Sequence, residues 1–318
     1  MKAIVQDRYG SADVLELRDL DVPVPTDAQV LIRVRAAAVN ALDWHMMQGT
    51  PQFMRLSMGF RGPKLKARGV DVAGIVEAVG PSVQGLKVGD EVFGWCQGAF
   101  AEFACARESH FIAKPVDVTF EQAASIPLAA VTALQGLRDV GEIKAGQSVL
   151  INGASGGVGT FAIQIAKSMG AVVTAVCSSR NLDLVRSLGA DHVIDYTKED
   201  FTRSGLRYDV IFQLAGTDSP GACRRALAPS GTLILSSGAG TVILDRLLKA
   251  VVLSKFVSQR LVVFEAELTH DDLVAVKDLL VAGTIRPVID RSYALSEAPA
   301  AIRYVNEGHT QGKTVIAM

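Results

Sequence analysis

The stretch from Gln147 to Met169, QSVLINGASGGVGTFAIQIAKSM, constrains the fold more than any other part of the chain. Its apolar run Ser148–Asn152 meets a turn dense in glycine, and apolar residues at helical spacing follow, so a buried strand feeds a helix through a tight loop. The glycines fall as Gly153-x-x-Gly156-x-x-Gly159, with Gly157 added. Their expected roles are the turn itself, close approach of the backbone to a pyrophosphate, and tight packing of helix on strand. A helix that starts near Gly157 also presents unpaired N–H groups and the positive end of its dipole, which suits an anion. Gly153, Ser155, Gly156, Gly157, Val158 and Gly159 are therefore the expected phosphate-contacting residues. An ordinary turn would carry similar glycines, so context has to separate the two readings.

The text beyond the turn supplies that context. Strands are expected at 172–176, 192–195, 209–214, 232–236 and 261–264, with helices at 181–188, 221–227 and 273–282. This alternation predicts a parallel, doubly wound sheet covered by helices. Leu214 and Ala215 end one of its strands at the carboxyl edge, where ligands collect in open sheets. Ahead of the turn, Thr119 is a cap candidate for a helix at 120–124, and an Ala/Leu-rich helix follows at 127–137. The apolar segment 241–257 repeats Leu244, Leu247, Leu248, Val251 and Val252 at helical spacing, which reads as a packed helix rather than a membrane-surface one.

Before about Lys114 the pattern is different. KAIVQ, QVLIRVRAAAV, AGIVEAVG and DEVFG are β-rich runs separated by Gly, Pro and Asp, which suits an antiparallel barrel-like unit. The tail, 285–318, returns to β-rich text around a helix near 297–306 and ends in Lys313-Thr314-Val315-Ile316, a strand expected to re-enter the first domain. A chain of 318 residues suits two domains. They are expected at 1–120, completed by 285–318, and at 121–284.

Composition excludes several function classes. Lys and Arg total 32 against 33 Asp and Glu, a formal charge of -1, and no basic stripe with interleaved aromatics occurs, so neither nucleic acid nor anionic lipid is an expected partner. No apolar run approaches the roughly 20 residues of a membrane span, and MKAIVQDRYG lacks the features of a secretory signal, which makes a cytoplasmic location the expectation. Cys96, Cys105, Cys177 and Cys223 form no C-x-x-C pair, so neither a zinc lobe nor a redox dithiol is indicated.

The coenzyme is read just past the second strand. A dinucleotide site that prefers NAD usually carries an acid about 20 residues beyond the glycine turn, on the ribose hydroxyls. Here the text is Val176-Cys177-Ser178-Ser179-Arg180, with no carboxylate to repel a 2′-phosphate, two hydroxyls to bond it and a guanidinium to pair with it. NADPH is the expected coenzyme. The plainer alternative is that Ser178 and Ser179 cap the following helix while Arg180 is solvated.

Met1-Lys2-Ala3, Asn40-x-x-Asp43, Gly74-x-Val76-x-x-Val79-Gly80, Gly89-Asp90-x-Val92-x-Gly94, Phe100-Ala101-Glu102-Phe103, the glycine turn and the closing Gly312-Lys313 follow one another along the chain. In these motifs, across almost its whole length, the chain resembles the medium-chain dehydrogenase/reductase superfamily, specifically its zinc-independent quinone oxidoreductase (zeta-crystallin-like) branch. It implies an α/β fold: a GroES-like, β-rich catalytic domain plus a Rossmann domain, assembled as a homodimer. Alcohol dehydrogenases place zinc ligands where this chain has Asn40 and Gly69-Val70-Asp71, and Val70 coordinates no metal, so no metal site is expected. The resemblance also adds Thr132, Tyr196, Ser237, Gly238 and Lys313 to the residues expected to contact the coenzyme.

Hydride transfer needs little from the protein beyond holding the donor carbon against an electrophile and excluding water. A donor near the substrate oxygen lowers the barrier as charge develops there. Asn40 and His45 are the expected catalytic residues, because Asn40-Ala41-Leu42-Asp43-Trp44-His45 resembles the family segment on the substrate side of the active site. A buried, hydrogen-bonded structural histidine is the competing role for His45, and Asp43 reads as a bracing acceptor. Trp44, Met46, Met47, Phe53, Met54 and Met58 either fill core or face a flat apolar substrate. The resulting expectation is an NADPH-dependent reductase of a small apolar carbonyl, a quinone or an α,β-unsaturated carbonyl. The alternatives are a nucleotide-responsive binding protein and a zinc-free carbonyl or alcohol oxidoreductase.

Overall fold

The structure is a computed structural model and describes residues 1–50, 52, 55–60, 62–216, 218–236 and 258–318. Phe53, Met54, Ser237, Gly238 and the apolar segment 241–257 lie outside the described residues. The chain forms two compact units, one of Met1–Val131, Leu268–Val281 and Pro287–Met318, the other of Thr132–Glu267 and Ala282–Arg286.

The first unit begins with strands β1 (Lys2–Gln6), β2 (Leu15–Asp19) and β3 (Gln29–Val39), then helices α1 (Ala41–Gln48) and α2 (Arg55–Met58). Strands β4 (Asp71–Val79), β5 (Glu91–Trp95), β6 (Phe103–Arg107) and β7 (Phe111–Ala113) follow, and then α3 (Phe120–Ala124) and α4 (Pro127–Gln135), which passes into the second unit at Thr132. Thr119 caps α3 by accepting from the Gln122 N–H at 3.2 Å, while the Gln122 side chain accepts from the Thr119 N–H at 3.0 Å.

The second unit carries β8 (Ser148–Asn152), α5 (Gly157–Ser168), β9 (Val172–Cys177), α6 (Leu182–Ser187), β10 (His192–Asp195), β11 (Tyr208–Gln213), α7 (Pro220–Arg225), β12 (Leu227–Leu235) and β13 (Arg260–Val263). The chain then returns to the first unit through the helix His270–Val281, β14 (Ile289–Ala294), the helix Ala298–Asn306 and β15 (Lys313–Ala317). The helix His270–Val281 thus clusters with the first unit, although it lies inside the 121–284 span read from the sequence.

Among the described residues the first unit holds a seven-stranded sheet in the order β14-β15-β3-β4-β5-β7, with β6 also paired to β3. All its pairs are antiparallel except β14 with β15. β3 is the spine because Val30, Ile32, Val34 and Val39 are all buried in it, against Val72, Val76, Phe100, Phe111 and Ile316. Each such side chain contributes about 1.5–3 kcal/mol on leaving water. Register then fixes where three distant residues meet. Ala38 pairs with both Asp71 and Val315, so the end of β3, the start of β4 and the start of β15 share one edge.

The second unit is a six-stranded parallel sheet in the order β10-β9-β8-β11-β12-β13, a Rossmann topology. Its strand order reverses between β8 and β11, which opens a crevice at their carboxyl ends. The core there joins Leu150, Val176, Ile211, Leu227 and Leu233.

Candidate functional site

Two constellations stand out, one in each unit. In the second unit the fold asks different things of the three spaced glycines. Gly153 sits at φ +88°, and a Cβ there would lie 2.6 Å from Cβ of Ala215, so the turn and the approach of the β11 loop both require glycine. Gly159 faces Gly153, where a Cβ would come within 2.2 Å of the Gly153 carbonyl oxygen; its absence is what lets α5 pack on the strand end. Gly156 differs. Its backbone is extended, and the nearest protein atom to an added Cβ is 3.4 Å away, so nothing in the fold demands glycine there. What glycine leaves there is bare backbone, ready for close approach by a ligand.

The donors match that opening. The first N–H groups of a helix have no carbonyl one turn back, so Gly157, Val158 and Gly159 direct theirs outward at the start of the twelve-residue α5. Gly156, Gly157 and Val158 are half-exposed while Ser155 and Gly159 are buried. The Ser155 hydroxyl accepts from the buried Asn181 side chain at 2.8 Å, which ties the turn to the loop after β9. Across the crevice the Asn152 carbonyl accepts from Leu214 and Ala215 at 2.9 and 3.2 Å, holding the β11 loop beside the turn. These groups fit the pyrophosphate of a dinucleotide: a neutral cradle of N–H donors with no opposing carboxylate on the turn. Thr132 is buried in α4.

The loop after β9 carries Ser178, Ser179 and Arg180, the last two exposed. The Ser178 side chain makes no capping bond, so the capping alternative fails for it. Tyr196 follows β10, is 56% exposed, and donates its N–H to the Cys177 carbonyl at 3.1 Å. One expectation is corrected here. The sequence around Ser179 shows no carboxylate, yet Asp195 arrives from the neighbouring strand, where it is the register partner of Cys177, and accepts from the Ser179 hydroxyl. A reading along the chain misses it because the contact is made across the sheet. The available signal is Asp195 itself, sitting where a short apolar run ends.

In the first unit the shared strand edge gathers charge in the dry interior. Lys313, 3% exposed, donates from Nζ to the Asn40 carboxamide oxygen and to Oδ2 of the fully buried Asp71 at 3.2 Å. The Asn40 amide nitrogen donates to the same Asp71 oxygen at 3.0 Å and to the Ala38 carbonyl at 3.4 Å, and the Leu128 N–H reaches the other Asp71 oxygen at 3.1 Å. Asp43 accepts the Asn40 N–H at 2.8 Å, which braces the start of α1. Burial drives the Asp71 carboxyl above the usual carboxylate range, against the opposing pull of Lys313 and Asn40. Burial also pushes Asp43 up to about 7, with the Asp71 charge adding to it and the Asn40 N–H opposing.

Lys313 is thus not among the residues that the second unit assembles, and both Asn40 amide protons have acceptors inside the fold. His45 is placed otherwise. It lies half-buried on α1, its Nδ1 is buried with no hydrogen-bond partner, and burial lowers its pKa, which favours the neutral imidazole. The structural role, which needs a bonded ring, has no support at Nδ1. Of the neighbouring apolar residues, Met47 is core, and Trp44 packs against that core. Met46 lines a small cavity with Asp43, Arg68 and Gln97. Among the described residues no group of three or more His, Cys, Asp or Glu is arranged to hold a metal ion.

Residues 26–116 match the family described as alcohol dehydrogenase GroES-like domain, and residues 188–316 the one described as zinc-binding dehydrogenase. The NAD(P)H oxidoreductase RTN4IP1, mitochondrial, of Mus musculus is 36% identical, over 99% of this chain and 89% of its own. The NADPH-dependent alkenal/one oxidoreductase, chloroplastic, of Arabidopsis thaliana is 35% identical, over 99% of this chain and 79% of its own. Among solved structures, the Escherichia coli quinone oxidoreductase complexed with NADPH superposes with a TM-score of 0.86 at 25% identity, covering 100% of both chains.

Proposed function

The chain belongs to the quinone oxidoreductase branch of the medium-chain dehydrogenase/reductase superfamily, and from that premise we propose that it is an NADPH-dependent reductase of quinones or α,β-unsaturated carbonyls. The observation that carries the reading is Gly156, a glycine that the protein's own packing does not require, at the mouth of an N–H cradle built for pyrophosphate.

Bound there, NADPH supplies a hydride to an electrophilic carbon of the substrate. The residues of the second unit would hold the coenzyme: the α5 N-terminus would take the pyrophosphate, Arg180 and the Ser178 hydroxyl the 2′-phosphate, and Tyr196 the adenosine side. In the first unit His45 is the donor toward the substrate oxygen. A neutral imidazole N–H stabilises negative charge as it develops, and burial keeps the His45 ring in its neutral form. Asn40 serves by position: Lys313 and Asp71 lock its carboxamide, and its backbone with Asp43 starts the helix that carries His45.

No metal takes part in this reading, because Asn40, Val70 and Asp71 stand at the zinc-ligand positions of the alcohol dehydrogenases and the Lys313 ammonium is bonded to two of them. The domain reading places catalysis in 1–120 with 285–318 and coenzyme binding in 121–284. A homodimer is supported by β13, an edge strand of the six-stranded sheet that a partner's strand would cover. No helix among the described residues is long and apolar enough to cross a membrane, and a cytoplasmic location completes the proposal.

The test is NADPH consumption with a panel of quinones and enones. Turnover with at least one class, without added metal and after chelation, is the expected result. NADPH binding with no turnover across the panel would favour a nucleotide-responsive binding protein instead.

A further inference from the structure

β9 and β10 end side by side, and two hydroxyls and a carboxylate meet between their ends, the Ser179 and Thr197 hydroxyl oxygens themselves 3.2 Å apart. Asp195 Oδ2 accepts from the Ser179 hydroxyl, and Oδ1 accepts from the Thr197 N–H at 3.0 Å and the Thr197 hydroxyl at 2.7 Å. Lys198 lies 3.4 Å from the same carboxylate. Led by the Ser179 hydroxyl, these donors hold the Asp195 carboxyl at about 2, so it is an anion at any working pH and only accepts. A hydroxyl owns one proton. With that proton committed to Asp195, both Ser179 and Thr197 present only lone pairs to a ligand. The oxygens of a 2′-phosphate are likewise acceptors, whereas a ribose 2′-hydroxyl brings a proton of its own.

We propose that Asp195 sets coenzyme selectivity in the second unit: by accepting the Ser179 hydrogen bond it leaves that hydroxyl free only to accept from an adenosine ribose 2′-hydroxyl, so the site admits NADH beside NADPH. The inference rests on the reading of this unit as a dinucleotide site and refines its coenzyme. From the sequence, Ser179 is expected to donate to the 2′-phosphate of NADPH. On this proposal that role is left to Ser178 and Arg180, while Ser179 serves the coenzyme that lacks the phosphate.

Two variants test it by titration of the full chain with NADPH and NADH, followed by nucleotide fluorescence or calorimetry. In Asp195→Asn, the two Thr197 donors keep the amide oxygen on their side, which turns the amide NH2 toward Ser179. The serine then accepts and directs its proton outward, and a negative charge is gone. The ratio of Kd for NADH to Kd for NADPH is expected to rise about tenfold, the size of one hydrogen bond to a charged group. In Ser179→Ala, NADH affinity is expected to fall about fivefold while NADPH changes less than about twofold. Equal losses for both coenzymes would make the Ser179–Asp195–Thr197 group a strut between strands and overturn the proposal. So would a Ser179→Ala variant that loses more affinity for NADPH than for NADH. Should the unaltered protein bind neither coenzyme, the dinucleotide reading itself falls, a result distinct from a selectivity that fails to shift.

Discussion

The buried charges of the first unit and the glycine turn of the second handle polar groups in opposite ways. Around Asp71 the protein brings three donors from the N-cap of α1, β15 and the start of α4 onto one carboxylate. At the turn it leaves the donors of α5 aimed outward and removes the one side chain, at Gly156, that would stand in front of them. The first arrangement is internally satisfied and the second is open. Charge alone therefore does not mark a binding site, since the most charged cluster is the one whose groups already answer one another.

The contrast is broken or sharpened most strongly at Lys313. Lys313→Met leaves Asp71 buried without its cation, an expected loss of about 3–5 kcal/mol in denaturant unfolding, whereas the double variant Lys313→Met with Asp71→Asn recovers much of it. A single variant as stable as the parent would mean that Asp71 is neutral in the fold. Next in size, His45→Phe keeps an apolar ring on α1 but removes the donor. Its kcat is expected to drop about 10²-fold with unchanged NADPH affinity; an equal kcat would return His45 to a packing role.

The two glycines come next. Gly159→Ala forces a Cβ against the Gly153 carbonyl and should cost about 1–3 kcal/mol of stability in the absence of coenzyme. Gly156→Ala should melt like the parent yet bind NADPH at least about tenfold more weakly. Were both to lose only stability, the turn would be a packing device and no cradle. The smallest effect concerns Asp43, which faces Asp71, Lys313 and Arg68. Its folded value of about 7 lies above the ordinary 3.8, so folding takes up a proton between those values and stability from this group falls as pH rises toward 7. Asp43→Asn should flatten the stability profile by about 1 kcal/mol between pH 6 and pH 7.

How much of this is legible in the sequence follows the range of the interactions. KAIVQ and QVLIRVRAAAV form β1 and β3, and the glycine turn joins β8 to α5, because alternation, helical spacing and glycine conformations are local properties of neighbouring residues. The return of the last strand is also readable, from the β-rich ending Lys313-Thr314-Val315-Ile316. Its register is not. That Lys313 lands on Asn40 and Asp71, 273 and 242 residues away, depends on how β15, β3 and β4 align. Asp195 escapes a reading along the chain for the same reason, since it meets Ser179 across two strands rather than along one loop.

The amino-acid order by itself settled the family of the chain, the parallel sheet and the glycine turn between β8 and α5, since each is written in short runs whose conformation depends on adjacent residues. Tertiary structure alone decided which charges are neutralised inside, which serine hydroxyl is turned onto a carboxylate and which histidine nitrogens are left without a partner. Those outcomes depend on burial and strand register, and both exist only once distant segments are packed together.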